Sequence, residues 1–220
     1  MRLSLPAMAN AAVFGLAFST FTAVIGHLGS DAVAANSLGN IVQNFGNIVS
    51  FGLASAGGIL LGQKMGEGRT EEARADGRRL LWVTVAAGVL GCILILLARP
   101  FVLMYARSGG FSDTSLHYLS VMLLIISYHV IGAAVSNLLI AGMFRAGGDS
   151  RLGLICDIFV IWGYAVPLAL LSAFVFKLPV LWVYFLFCTD ELAKLPWIIR
   201  RYRSVRWVKI LTREELFEGK

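Results

Sequence analysis

The chain reads as an all-α membrane protein, a bundle of six transmembrane helices, and three observations predict it. Six apolar stretches, Ala7–Leu28, Val33–Gly62, Leu80–Ala98, His117–Met143, Leu152–Phe176 and Leu181–Ile199, occupy most of residues 1–199. Each meets or nearly meets the roughly 20 helical residues needed to cross a hydrocarbon core about 30 Å thick. In lipid a backbone must satisfy its own hydrogen bonds, so segments of this composition form helices. Hydrophobic residues make up 58% of the chain and charged residues 15%, with mean hydropathy +0.76. Soluble domains carry about 25% charged residues, so this chain has too little polar surface to wet.

The third observation is where the charge sits. With the N-terminus inside, the inner ends hold Arg2, then Lys64, Arg69, Arg74, Arg78 and Arg79, then Arg145 and Arg151. A tail from Arg200 to Lys220 adds seven more, making 15 of the 19 basic residues. Only Arg99, Arg107 and Lys177 fall outside, and Lys194 lies within the last stretch. This bias places both termini of a multi-pass membrane protein in the cytoplasm. The net charge of +6 is therefore a topology signal. Nucleic acid is not an expected partner, because no folded surface interleaves basic and aromatic residues. Membrane lipid is, and the tail at 200–220, with Tyr202 and Trp207 among its cations, suits an anionic headgroup layer.

Taken in order, the first stretch is read as a span rather than a cleaved leader, since it is longer than a signal core and only Arg2 precedes it. The second is long and glycine-rich, leaving through Gly62–Gly68. Thr70-Glu71-Glu72 then reads as the start of a short surface helix with acids in its first turn. The third stretch ends at an outer loop containing Pro100, Gly109 and Gly110. The fourth leaves through Gly147-Gly148, and a tight turn at Lys177-Leu178-Pro179 joins the fifth and sixth. Pro196 is expected to kink or end the sixth helix. Cys92, Cys156 and Cys188 all fall within spans, which points to buried thiols rather than a disulfide framework or a zinc site.

Polar groups at membrane depth are the candidate functional residues. Asn36, Asn40, Gln43 and Asn47 recur at spacings that place them on one face of the second helix. Gly46, Ser50, Ala54, Gly58 and Gly62 drift onto the same face. The small residues fit a helix–helix seam, while the amides suit either that seam or the wall of a hydrated cavity. Tyr128 and His129 lie near the middle of the fourth stretch. A histidine there is either a proton carrier or a neutral imidazole bonded to a carbonyl, and the lack of an acid on its own helix favours the second. Asp157, Asp190 and Glu191 are the intramembrane acids, and Lys194 follows the last two by four and three residues. A structural ion-pair cluster, with Arg145 or Arg151 as a further partner, is the first reading of this group. A gate or cation relay is the second. No nucleophile–base–acid constellation appears, so neither an enzymatic activity nor a metal or organic cofactor is expected.

Several of these segments together resemble one family. They are Leu5-Pro6, Gly26-His27-Leu28-Gly29, Ala32-Val33-Ala34-Ala35, Gly62-Gln63-Lys64-Met65-Gly66-Glu67-Gly68 running on to Glu72-Ala73, and Phe144-Arg145-Ala146-Gly147-Gly148-Asp149-Ser150-Arg151. Asp157, Trp162, Pro167 and Asp190-Glu191-Leu192-Ala193-Lys194 complete the set. The chain is similar to the C-terminal six-helix lobe of a bacterial MATE (multidrug and toxic compound extrusion) transporter. The resemblance implies one of two lobes around a V-shaped cavity, exporting small amphipathic organic compounds against Na+ or H+. It also implies a second six-helix lobe as partner, on a separate chain or from a second copy. The family often places a glutamate directly after the asparagine of this lobe's first helix, whereas Asn10 here is followed by Ala11. Two other readings are a non-transporting remnant or assembly partner, and a lipid-linked oligosaccharide flippase, whose cavity should be basic.

Overall fold

A computed structural model describes residues 4–148 and 150–204, so Asp149 and the tail beyond Ser204 lie outside the described residues. Among the described residues eight α-helices follow one another: α1 Ser4–His27, α2 Ser30–Gly66, α3 Thr70–Ser108, α4 Asp113–Asn137, α5 Ser150–Asp157, α6 Val166–Leu170, α7 Val180–Phe187 and α8 Asp190–Arg203. Wider π-helical turns carry α4 on through Leu138–Phe144, join α5 to α6 over Ile158–Ala165, and extend α6 over Leu171–Val175. Residues 150–175 thus form one continuous rod.

Four of the expected spans are long, apolar helices by these measures: Ser30–Gly66, Thr70–Ser108, Asp113–Phe144 and Ile155–Val175. In α1 the apolar run is Ala12–His27. The sixth stretch is not one helix. It divides at Cys188–Thr189 into α7 and α8. Pro196 does not end α8, which continues to Arg203. Pro100 likewise sits inside α3 rather than in a loop. A proline removes one backbone bond, and in a membrane bundle neighbouring groups absorb that loss.

The acids at Glu71 and Glu72 do start a helix, but not a separate surface one. Nothing in Ala73–Leu80 stops it, so it continues as α3, about 58 Å from end to end. Its first turns are charged because they lie beyond the apolar core. The α2–α3 turn is held by Lys64 Nζ, which donates to Asp76 Oδ2 at 2.5 Å and Glu72 Oε2 at 3.1 Å. Gly68, at φ 76°, supplies the left-handed turn between the helices. The bond from Lys64, more than any other effect, holds the Asp76 carboxyl below its ordinary value of 3.8. A depressed folded-state value means that its stabilisation is complete above 3.8 and is lost as pH falls through the folded-state value. Hydrogen exchange at the Glu67–Thr70 amides is therefore expected to accelerate in acid in the parent. In Asp76→Asn that acid-dependent rise should be reduced.

At the opposite end, Asp31 Oδ1 accepts from Ser112 Oγ at 2.6 Å and Ser115 Oγ at 2.7 Å. Ser112 also caps α4 by accepting from the Ser115 amide at 3.0 Å. The two serine bonds hold the Asp31 carboxyl below its ordinary range, Ser112 contributing most. A carboxylate at the α4 N-terminus also meets the positive end of that helix.

The central helix is α4, which touches α2, α3, α7 and α8. Towards its N-terminal end Leu119, Met122, Leu123, Ile126 and Val130 pack with Phe21, Ile25, Ile95 and Tyr184. Towards its C-terminal end Leu138, Leu139, Met143 and Phe144 pack with Leu61, Met65 and Ile198. The other face of α3 is apolar and exposed at Trp82, Leu90, Leu94, Leu97 and Phe101. A stripe of that size in water would mark an interface, and on a chain of this composition it faces lipid.

Candidate functional site

The break in the sixth span creates the site. After Phe187 the helix tightens into a turn at Cys188 and Thr189, whose amides still donate back to the Tyr184 and Leu186 carbonyls, and α8 begins at Asp190. The Cys188 carbonyl accepts a hydrogen bond from the Tyr128 hydroxyl at 3.3 Å, so α4 satisfies a group that the break exposes. The restart places Asp190 and Glu191 in the first turn of a helix, where its dipole favours negative charge. His129 of α4 stands opposite, about 24 Å along that helix from Asp113. Discontinuous helices whose ends meet at this depth are a recurring way to build ion and substrate sites in transporters.

A chain of side-chain contacts runs through this point. Gln43 Nε2 donates to His129 Nδ1 at 3.1 Å, which leaves the imidazole proton on Nε2. That nitrogen faces Asp190 Oδ1 at 3.4 Å. Lys194 Nζ then lies 3.3 Å from Asp190 Oδ2, 3.2 Å from Glu191 Oε1 and 3.6 Å from Asp157 Oδ1. Lys194 is 2% exposed, and the three acids are all buried. The acid missing from the histidine's own helix comes from α8, so the expected carbonyl partner is replaced by Gln43 and Asp190. Arg145 is exposed just after Phe144, and the side chain of Arg151 lies outside the described residues.

A cavity of about 260 Å³ opens beside this chain. Its polar wall includes Asn40, Gln43, Asn44, Asn47 and Asn137, with His129, Asp190 and Glu191 at one end. Its apolar wall includes Phe14, Phe18, Phe21, Phe51, Tyr184 and Phe187. Phe21 and Phe187 stack with centroids 3.7 Å apart, tying α1 to the end of α7. Such a lining offers flat apolar surface, amide hydrogen bonds and negative charge together. It is suited to an amphipathic cation. Donor atoms of His129, Asp190 and Glu191 also lie within 4.8 Å of one another, close enough to share a small cation.

The predicted residues divide cleanly. Asn40, Gln43, Asn47 and His129 line the cavity, as do Asp190 and Glu191. Asp157 and Lys194 stand behind the last two. Asn36 is buried outside the lining, with its Oδ1 unpartnered. Tyr128 serves the helix break and a second, smaller cavity instead. Small residues of α2 take the seam: Gly46 meets Ile95 and Val130, and Gly58 meets Gly142. Sequence reasoning passed over the α1 aromatics. Their signal was present, because Phe14, Phe18 and Phe21 recur at i, i+4 and i+7. Cys92, Cys156 and Cys188 are free thiols.

In a background lacking those cysteines, single cysteines at Asn40, Gln43 and Asn47 should react with a water-soluble thiol reagent several-fold faster than one at exposed, apolar-facing Phe45. Equal rates would leave those amides only a packing role.

Known proteins share this architecture. A family model described as MatE matches residues 6–171. The chain is 27% identical over 187 residues to the Probable multidrug resistance protein YoeA of Bacillus subtilis (strain 168), covering 84% of this chain and 39% of that protein. It is 25% identical over 183 residues to the Probable multidrug resistance protein NorM of Brucella suis biovar 1 (strain 1330), covering 80% and 37%. Among solved structures, MATE in complex with MaD5 superposes with TM-score 0.82 at 18% identity, covering 97% of this chain and 48% of that one. The bent form of the Vibrio cholerae MATE transporter VcmN gives 0.79 at 16%, again over 97% and 48%. At such identities the superpositions speak for the fold alone. The chain therefore spans about two fifths of those curated relatives and about half of those solved chains. With the family model covering most of its length, this multi-pass membrane protein belongs to the MatE family of MATE transporters.

Proposed function

We propose that this chain is the C-terminal lobe of a cation-coupled multidrug efflux antiporter in the bacterial plasma membrane. It exports amphipathic organic compounds together with a second six-helix lobe, supplied by a separate chain or a second copy. The observation that carries this reading is the cavity at the broken sixth span, where aromatic rings, an amide ladder and two buried carboxylates converge. The rings hold the apolar part of a substrate and the amides orient it. Asp190 and Glu191 attract its positive charge.

The same carboxylates serve the coupling ion, Na+ or H+. A substrate cation and a coupling cation compete for one pair of acids, so binding of one releases the other, as antiport requires. Lys194 stands against Asp190 and Glu191 between occupants, and His129, joined to Asp190, is placed to take up a proton. This role makes and breaks no covalent bond, so the protein is not an enzyme. The basic inner ends support a topology with both termini in the cytoplasm. A flippase for lipid-linked oligosaccharides fits less well, since among the described residues the cavity lining includes His129 but no lysine or arginine.

The test is the accumulation of a lipophilic cationic dye in cells lacking their own pumps. Accumulation should fall when the chain is expressed with a matching six-helix lobe. It should return when Asp190→Asn and Glu191→Gln are introduced. No change with or without the second lobe removes the transport reading and leaves a remnant or an assembly partner.

A further inference from the structure

Because α3 runs through Pro100, Arg99 lies within a helix and not in the loop that follows it. Residues 100–108, about 13 Å of helix at roughly 1.5 Å each, remain beyond it before α3 ends. Phe101, Met104 and Tyr105 on that last stretch are exposed, a surface suited to lipid. From Leu80 to Ser108 the helix is about 43 Å long, the thickness of a bilayer with its headgroups. Arg99 therefore sits just below the headgroup layer at the Ser108 end.

An ionisable group at that depth calls for a partner. Arg74 and Arg79, in the first turns of the same helix, pair with Glu71 and Asp76. Among the described residues no carboxylate pairs with Arg99. Its Nη2 donates to Ser120 Oγ of α4 at 2.5 Å, and its Nε is buried without an acceptor. Its Nη1 has no protein partner either, yet it is not sealed off. The guanidinium thus keeps one edge open.

The surroundings say what that edge takes. Arg99 meets Ser120 across the seam of α3 and α4, and helical spacing sets Leu96 beside the first and Leu124 beside the second. Both leucines lie on the side of this bond towards the middle of the bilayer, and both are exposed. Charge at headgroup level with open aliphatic surface beneath it is the order of polar and apolar parts in a phospholipid. A phosphodiester matches the planar N–H donors of a guanidinium. Ser120 accepts from Nη2 and keeps its own O–H to donate to the same phosphate. A headgroup carrying an ammonium would set a second cation against Arg99, so a net anionic lipid fits best.

We infer that the α3–α4 seam holds an anionic phospholipid, its phosphate on Arg99 Nη1 and the Ser120 hydroxyl and one acyl chain along Leu96 and Leu124. None of these residues lines the cavity at the helix break, so the site stands apart from transport.

The experiment uses the full chain in phosphatidylcholine nanodiscs doped with phosphatidylglycerol that carries a diazirine in one acyl chain, with adducts located by mass spectrometry. Adducts at Leu96 and Leu124 should exceed those at the exposed Leu90 and Leu97 of α3 about tenfold. Arg99→Gln should remove that excess, and Arg99→Lys, which keeps the charge, should retain part of it. In the parent, unlabelled phosphatidylglycerol should compete. Diacylglycerol, which lacks the phosphate, should not, and neither should inorganic phosphate, which lacks the chains. Equal adducts at all four leucines would leave only bulk lipid around the helices and overturn the site. So would an excess that survives Arg99→Gln, or competition by diacylglycerol equal to that of phosphatidylglycerol. Displacement by inorganic phosphate would reduce the seam to a simple anion site and overturn the lipid assignment.

Discussion

Lys194→Met lowers the stability of the folded lobe by about 3–5 kcal/mol, because it leaves buried carboxylates without the ammonium that compensates them. Lys194 is 2% exposed and stands within 3.6 Å of Asp157, Asp190 and Glu191. Lipid-depth burial denies those groups the water that would screen them. Glu191→Gln in the same molecule recovers part of the loss, since one of the uncompensated charges is then gone. Recovery is incomplete while Asp190 and Asp157 remain. Folded yield and thermal midpoint in detergent, for Lys194→Met, Glu191→Gln and the double variant, make the comparison. If all three fold like the parent and transport loses only its sodium or pH dependence, the cluster is a relay and not a structural element.

Gly142→Val abolishes recovery of folded protein. A Cβ at Gly142 would lie 2.8 Å from the Ala54 carbonyl oxygen and 3.5 Å from Ala54 Cα. The obstructing atoms are backbone, so no rotamer change relieves the overlap. The partner helix is also close on its own side, where a Cβ at Gly58 would lie 3.4 Å from Gly142 Cα. Packing between membrane helices depends on this closeness, because lipid supplies no hydrophobic force between them. Gly142→Ala should cost about 1–3 kcal/mol, the usual range for overpacking. Gly163→Ala, where a Cβ meets nothing within 4 Å, is the matched control and should be near neutral. A Gly142→Ala protein with the parent's midpoint would show that α2 and the end of α4 can separate here.

The site was legible in its parts and not in its assembly. Helical spacing predicted that Asn40, Gln43 and Asn47 share a face and that Asp190 and Glu191 reach Lys194, since all of these are relations within one helix. The partnership of His129 with Asp190 spans 61 residues, and that of Gln43 with His129 spans 86. No local pattern encodes either. The absence of an acid on the fourth helix therefore misdirected the reading of His129. Prolines misled for a related reason. Pro100 looks like a helix end, and Pro196 like an end or a kink, when only the backbone bond they remove is considered. In the bundle both helices continue, while the sixth span breaks instead at Cys188–Thr189, where no proline or glycine marks it.

By itself, the sequence determined that this protein is helical, lies in a membrane and carries amides and acids within its apolar stretches. Those properties follow from composition and periodicity, which act residue by residue through the transfer of side chains from water to lipid. Only the tertiary structure decided where a helix could stop within the bilayer. A break there exposes a carbonyl that lipid cannot satisfy, so it persists where another helix provides a donor. Tyr128 supplies one to Cys188 from 60 residues away.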